Sequence, residues 1–139
     1  MITIKENVLD RKTYLGLRNA VNWKVLSESQ ADKALKNSLI TFTAFLDNKA
    51  VGMSRVVGDG AVICYVQDLV ILPECQKLGV GKQLMERVVS YVEGIREENT
   101  EIMLCLMCSK GREKFYERFG FIARPTSDLG PGMILYLKK

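Results

Sequence analysis

The feature that most limits the fold is one continuous stretch, residues 61–92. It opens with a long apolar run, Ala61 to Leu72, closed by Pro73. It passes through a loop carrying Gly79 and Gly81, and continues as an amphipathic segment from Gly81 to Val92. Leu84, Val88 and Val89 recur there at helical spacing, with Lys82, Glu86, Arg87 and Glu93 between them. A strand that feeds a helix through a glycine turn must lay that helix on a sheet. It also creates an anion site. The first amides of a helix lack internal partners, and the helix dipole there favours negative charge. Gly79 and Gly81 let the backbone come close to a phosphate, and Lys77 and Lys82 add positive charge.

Two common phosphate loops do not fit. A P-loop needs glycine at position 76, which is Gln, and Ser or Thr at position 83, also Gln. A dinucleotide fingerprint needs glycine at position 84, which is Leu, and a following βαβ unit that is lacking. What fits is Gln76-Lys-Leu-Gly79-Val-Gly81.

The remaining pattern predicts a mixed sheet with helices. A short strand, Ile2 to Lys5, precedes two helices. The first runs Arg11 to Val21 behind Asp10 as N-cap. The second runs Glu28 to Asn37, with Ser27 and Gln30 at capping-box spacing. Thr41 to Leu46 and Ala50 to Val57 are strands joined by Asp47-Asn48-Lys49. Gly58-Asp59-Gly60 turns the chain into the long strand. Ile102 to Met107 reads as a buried strand and Lys110 to Phe119 as a short helix closed by Gly120. Phe121 to Ala123 and Met133 to Leu137 read as terminal strands around the loop 124–132, with Pro131-Gly132-Met133 shaping its end. The order is β-α-α-β-β-β-α-β-α-β-β. The sheet is mostly antiparallel, with about seven strands and four helices, in one domain spanning 1–139.

Composition narrows the chemistry. The chain has no histidine, so no Ser-His-Asp triad, Cys-His pair or HExxH zinc site can form. Twenty basic against 16 acidic residues give a net charge of +4, with both signs interspersed. A nucleic-acid protein clusters its positive residues, so this balance suits a small anionic ligand. Cys64, Cys75, Cys105 and Cys108 follow no apolar signal core. The expectation is a cytoplasmic protein with reduced, buried structural thiols, no metal and no membrane span.

A second motif, Phe115-Tyr116-Glu117-Arg118-Phe119-Gly120-Phe121, follows the glycine loop. With both motifs and the element order, the chain resembles the GNAT superfamily of acyl-CoA-dependent N-acetyltransferases. The resemblance implies acetyl-CoA as co-substrate. It implies that the backbone of Leu69, Val70 and Ile71 pairs with the pantetheine arm. It implies that Gln76, Lys77, Leu78, Gly79, Val80, Gly81 and Lys82 form the pyrophosphate loop. Tyr116 falls on the tyrosine that many members use to protonate the departing thiolate. Ser109 stands near the pantetheine where the family often has Asn. Trp23, between the first two helices, would line the acceptor pocket, since that connection covers the site in the family. GNAT domains often form homodimers through terminal strands.

Asp68 is a carboxylate inside an apolar strand. Alternation puts it on the face opposite Leu69 and Ile71. It is a candidate catalytic base or counter-ion for an acceptor ammonium. The competing reading has it exposed, or paired with Arg55 on the neighbouring strand. Arg55 and Tyr65, near the hairpin, are candidate acceptor contacts. Cys75 lacks a histidine to activate it. The expected activity is acetyl transfer to a primary amine, most simply a small cationic amine. The alternatives are a protein amine (an N-terminus or lysine) and a non-catalytic acyl-CoA-binding regulatory module.

Overall fold

A computed structural model describes residues 1–139. Strand β1 is Ile2–Glu6. Helix α1, Arg11–Ala20, starts where Asp10 accepts a hydrogen bond from the Thr13 amide at 2.8 Å. Helix α2, Glu28–Lys36, carries the expected capping box between Ser27 and Gln30. Then follow β2 (Ile40–Leu46), β3 (Lys49–Gly58) and β4 (Ile63–Ile71). A short 3₁₀ turn at Pro73–Cys75 leads to α3 (Val80–Ile95), β5 (Met103–Leu106) and α4 (Glu113–Glu117). No helix is long and apolar enough to cross a membrane.

The strands form one sheet in the order β1-β2-β3-β4-β5, antiparallel except for the parallel β4–β5 pair. The mixed, mostly antiparallel α/β architecture is as expected, but the strand count is five rather than seven. The segments 121–123 and 133–137 are not strands. Met133, Leu135 and Leu137 are strongly exposed there, so an apolar run exists without a partner to make it a strand. Two further boundaries move. Helix α4 is shorter than the expected 110–119, and α3 runs past Gly94. Gly94 lies on the exposed face, and its missing side chain weakens the helix there without ending it.

The chain forms two compact units, residues 1–106 and 107–139. In the first, α3 packs on one face of the sheet. Leu84, Met85 and Val88 are fully buried, and Tyr91 meets Phe42 edge to face at 6.4 Å. Helices α1 and α2 cover the other face. Tyr14, Leu17 and Arg18 form the buried stripe of α1, and Ala31 that of α2. Burying this core supplies most of the stabilisation at roughly 25 cal/mol per Å² of apolar surface. In the second unit, Phe115, Tyr116, Phe119 and Phe121 form a cluster of edge-to-face rings.

The cysteines are all free. Cys64 and Cys75 are buried and Cys105 is half-buried, but Cys108 is exposed, against the expectation of a buried thiol. It lies beyond the end of β5.

The Gly58-Asp59-Gly60 turn is built as its residues suggest. Asp59 Oδ1 accepts from the amides of Ala61, Val62 and Ile63 at 2.8, 2.8 and 3.0 Å. These amides, Ile63 foremost, hold the Asp59 carboxyl below its ordinary range. Gly58 has φ 138°, and a Cβ there would collide with the Ile63 carbonyl oxygen.

Candidate active site

Strand β4 has two different halves. Cys64 to Val66 pair with β3 on one edge and with β5 on the other. The β5 ladder ends at Val66↔Leu106, so Asp68 to Ile71 pair only with β3. The break coincides with a bulge. Arg55 faces Asp68 and Val56 faces Val66, which leaves Gln67 as the extra residue. The bulge reverses the alternation. Asp68 and Val70 then share a face with Arg55 and Met53, while Leu69 and Ile71 lie with Ser54 and Gly52 on the α3 face. The Leu72 amide bonds the Val51 carbonyl, so by alternation Val70 also turns its backbone groups toward β3, and the outer edge presents those of Leu69 and Ile71, which can pair with an extended amide-bearing ligand.

The loop after this edge ends at the start of α3. Gly79 is the N-cap in the left-handed conformation, φ 85°, with no side-chain cap. The first intrahelical bond runs from the Gln83 amide to the Gly79 carbonyl at 3.1 Å. The amides of Val80, Gly81 and Lys82 therefore lack intrahelical partners and suit an anion. A Cβ at Gly79 would meet nothing within 4 Å, so the approach is open. Lys77 also has positive φ, 72°, and Lys77, Leu78 and Lys82 are exposed. The Gln76 amide group donates to the Ile71 carbonyl at 3.4 Å, tying the loop to the strand end. Gly52 sets the depth of the helix. A Cβ there would sit 3.0 Å from the Val70 carbonyl oxygen and 3.1 Å from Val80 Cγ1. Only a glycine lets the first turn of α3 come this close to the sheet.

Asp68 has a more enclosed setting than a cleft carboxylate. It is 1% exposed. Its Oδ1 accepts from Arg18 Nη1 at 3.0 Å. Its Oδ2 accepts from Tyr14 Oη at 2.9 Å and from Arg55 Nε at 2.8 Å. The pairing with Arg55 that the sequence left open is therefore formed, and Arg18 adds a second guanidinium. Both oxygens are occupied, so neither is offered to a substrate amine. Arg55 points inward, 8% exposed, with Nη1 also donating to the Ala34 carbonyl and the Ser38 hydroxyl, each at 3.3 Å. That differs from the acceptor-facing arginine expected near the hairpin. The backbone of Asp68 is held as well, since Ser54 Oγ donates to its carbonyl at 2.9 Å. Burial, followed by the nearby Asp68 charge, pushes the Tyr14 hydroxyl up, so it remains a donor.

Tyr14 and Arg18 are the residues sequence reasoning missed. The signal was available in part: they are four apart on α1 and share a helix face with Leu17. Trp23 is half-buried, its ring 5.2 Å from the Arg18 guanidinium carbon. Tyr65 lies in the doubly paired half of β4, opposite Val57 and Cys105. Ser109 and Tyr116 belong to the second unit. Ser109 is exposed, and its carbonyl accepts from the Arg112 amide at 3.0 Å. Tyr116, on α4, is packed by Phe115 and Phe121 at 5.0 and 5.9 Å. Burial, then the Cys108 thiol, pushes its hydroxyl up to about 12, so it stays protonated at neutral pH.

Similar proteins share the fold. The Staphylococcus aureus protein SA2161 superimposes with a TM-score of 0.86 at 26% identity, over 99% of this chain and 100% of that one. The GNAT family acetyltransferase SP0256 of Streptococcus pneumoniae gives 0.83 at 30% identity, over the full length of both. Among curated relatives, serotonin N-acetyltransferase 2, chloroplastic, of Oryza sativa subsp. japonica is 34% identical over 88 residues, 63% of this chain and 41% of the relative. The N-acetyltransferase ycf52 of Pyropia yezoensis is 28% identical over 119 residues, 82% of this chain and 66% of the relative. The chain thus spans less than half of the rice protein and about two-thirds of the algal one. A family model for the acetyltransferase (GNAT) domain matches residues 37–123, from β2 through the second motif, and the chain belongs to this GNAT acetyltransferase family.

Proposed function

We propose that the chain transfers an acetyl group from acetyl-CoA to the nitrogen of a small primary amine. The observation that carries this reading is the free edge of β4 at Leu69–Ile71, continuous with the unpaired amides of Val80, Gly81 and Lys82. Strand and helix start together offer backbone pairing for an amide-bearing arm, then an anion cradle for its diphosphate. Acetyl-CoA would supply an activated thioester, and CoA would depart as the thiolate. Lys77 and Lys82 add charge beside the cradle. A strand amide near Val70 is a donor for the negative oxygen that develops on the attacked carbonyl. By its place in the second motif, Tyr116 gives its phenolic proton to the departing thiolate. A thiol leaves readily, which puts this contribution at the low end of general acid catalysis, about 100-fold.

Asp68 enters as a positioning group rather than as the base. Its oxygens are engaged by Tyr14, Arg18 and Arg55, so the acceptor nitrogen loses its proton to water. An acceptor with an apolar or aromatic body suits this better than one relying on a carboxylate counter-ion. The half-buried Trp23 and the arylalkylamine in the rice relative's name support that choice. The test is thiol release from acetyl-CoA in the presence of tryptamine, serotonin, spermidine, lysine and an N-terminal peptide. Release fastest with the arylalkylamines is expected. Release only with the peptide would reassign the acceptor. CoA binding with no release on any amine would support the regulatory module instead.

A further inference from the structure

Arg18 touches two parts of the molecule with separate nitrogens. Nη1 donates to Asp68 at 3.0 Å, and Nη2 donates to the Lys24 carbonyl at 3.1 Å. The Trp23 ring covers the same guanidinium, and the Trp23 amide donates back to the Arg18 carbonyl at 3.1 Å. The connection between α1 and α2 is thus fastened at Trp23 and Lys24 to one side chain. Arg18 is 8% exposed, and its Nε is buried without a partner. An orphaned donor is unfavourable, so the side chain is held where its two terminal nitrogens reach Asp68 and Lys24 at the expense of the third. A planar fork can span two acceptors in this way; a lysine ammonium, as a single point of charge, cannot match the geometry.

The other end of the link is the free half of β4. Asp68 follows the bulged Gln67 and precedes Leu69–Ile71, the segment whose outer edge is open to an incoming strand. Its carbonyl is fixed by Ser54 and its carboxylate by three donors. A ligand pairing with Leu69–Ile71 would restrain the backbone one residue from this hub. We propose that Arg18 is a positioning residue that couples occupancy of the β4 edge, through Asp68, to the α1–α2 connection carrying Trp23. The proposal rests on the acetyl-CoA reading and adds a coupling between co-substrate binding and the connection. Such coupling is reciprocal: if CoA tightens the acceptor, the acceptor tightens CoA by the same factor.

Trp23 is the sole tryptophan, so its emission reports the connection directly. The full chain is titrated with CoA while binding is followed independently by calorimetry. The expected result is a saturable emission change in the wild type. In Arg18→Lys, CoA affinity stays within about twofold, the emission response is lost, and the acceptor KM rises about tenfold at a smaller change in kcat. Arg55→Lys is the second arm. It loosens Asp68 from the other side and leaves the Arg18 contacts to Lys24 and Trp23 in place, so the response shrinks; this arm decides if Arg18→Lys does not fold. CoA binding without any emission change in the wild type overturns the coupling alone. So does an Arg18→Lys response equal to that of the wild type. Absence of CoA binding removes the acetyl-transfer reading, and the coupling falls with it.

Discussion

The hub at Asp68 and the turn at Gly79 lie on the same run of chain but use opposite parts of their residues. Around Asp68 the work is done by side chains: one carboxylate, two guanidiniums and a phenol, nearly excluded from water. Around Gly79 it is done by backbone, with amides at the start of α3 and an exposed loop whose side chains reach solvent. A buried ion cluster tolerates the loss of one member poorly, because the others are left charged and desolvated. A backbone cradle tolerates side-chain loss well and is sensitive to conformation. The two regions should therefore respond to substitution in different currencies, stability for the hub and ligand affinity for the turn.

The sharpest break would come from Asp68→Ala. It strands Arg18 and Arg55 and should cost about 3–5 kcal/mol of folding stability in chemical denaturation. A loss below about 1 kcal/mol would mean the hub is not structural. Tyr116→Phe probes a side chain of a third kind, a packed phenol outside both regions. Turnover should fall about 100-fold with stability nearly kept, and equal turnover would remove it as the acid.

The pH dependence of Tyr116 has a definite sign. Its hydroxyl is raised to about 12 from an ordinary 10, so the native state favours the neutral form. That stabilisation is fully present below about pH 10 and is lost as pH rises from about 10 through 12. The acid therefore stays loaded across pH 7–10. A drop in kcat within that range that vanishes in Tyr116→Phe would contradict it.

Gly79→Ala sharpens the backbone side of the contrast. No atom blocks a Cβ there, so the cost is that of placing alanine at φ 85°, about 1–2 kcal/mol. It should appear as weaker CoA binding in calorimetry more than as a lower melting temperature. Lys82→Ala should have the smallest effect. An exposed charge contributes about 0.2–1 kcal/mol, so CoA affinity falls a few-fold at low salt and the difference fades at high salt. A large, salt-independent loss would show that the cradle relies on side chains after all.

Much of the first unit was legible in the sequence because its signals are local. The capping box at Ser27 and Gln30, the Asp59 turn and the apolar period of α3 each involve residues a few positions apart. The glycine loop was legible for the same reason: its conformational requirement lies in Gly79 itself. The hub was only half legible. An aspartate in an apolar strand announces that a partner exists. Arg55 could be named because a hairpin places it opposite, whereas Tyr14 and Arg18 lie 54 and 50 residues away on a helix whose docking the sequence does not state. The segment 133–137 failed in the opposite direction. It has a strand's composition, but a strand is a hydrogen-bonded pair, and no ladder forms there.

The amino-acid sequence by itself determined the family, the element order through α3 and the chemistry that is unavailable without histidine. These depend on residue identity and short-range spacing. Only the tertiary structure decided where β4 parts from β5, which face Asp68 takes after the bulge at Gln67, and that two arginines and a tyrosine close over it. Those outcomes depend on register and helix docking. Both are set by the summed packing of distant residues, and no single stretch of chain encodes them.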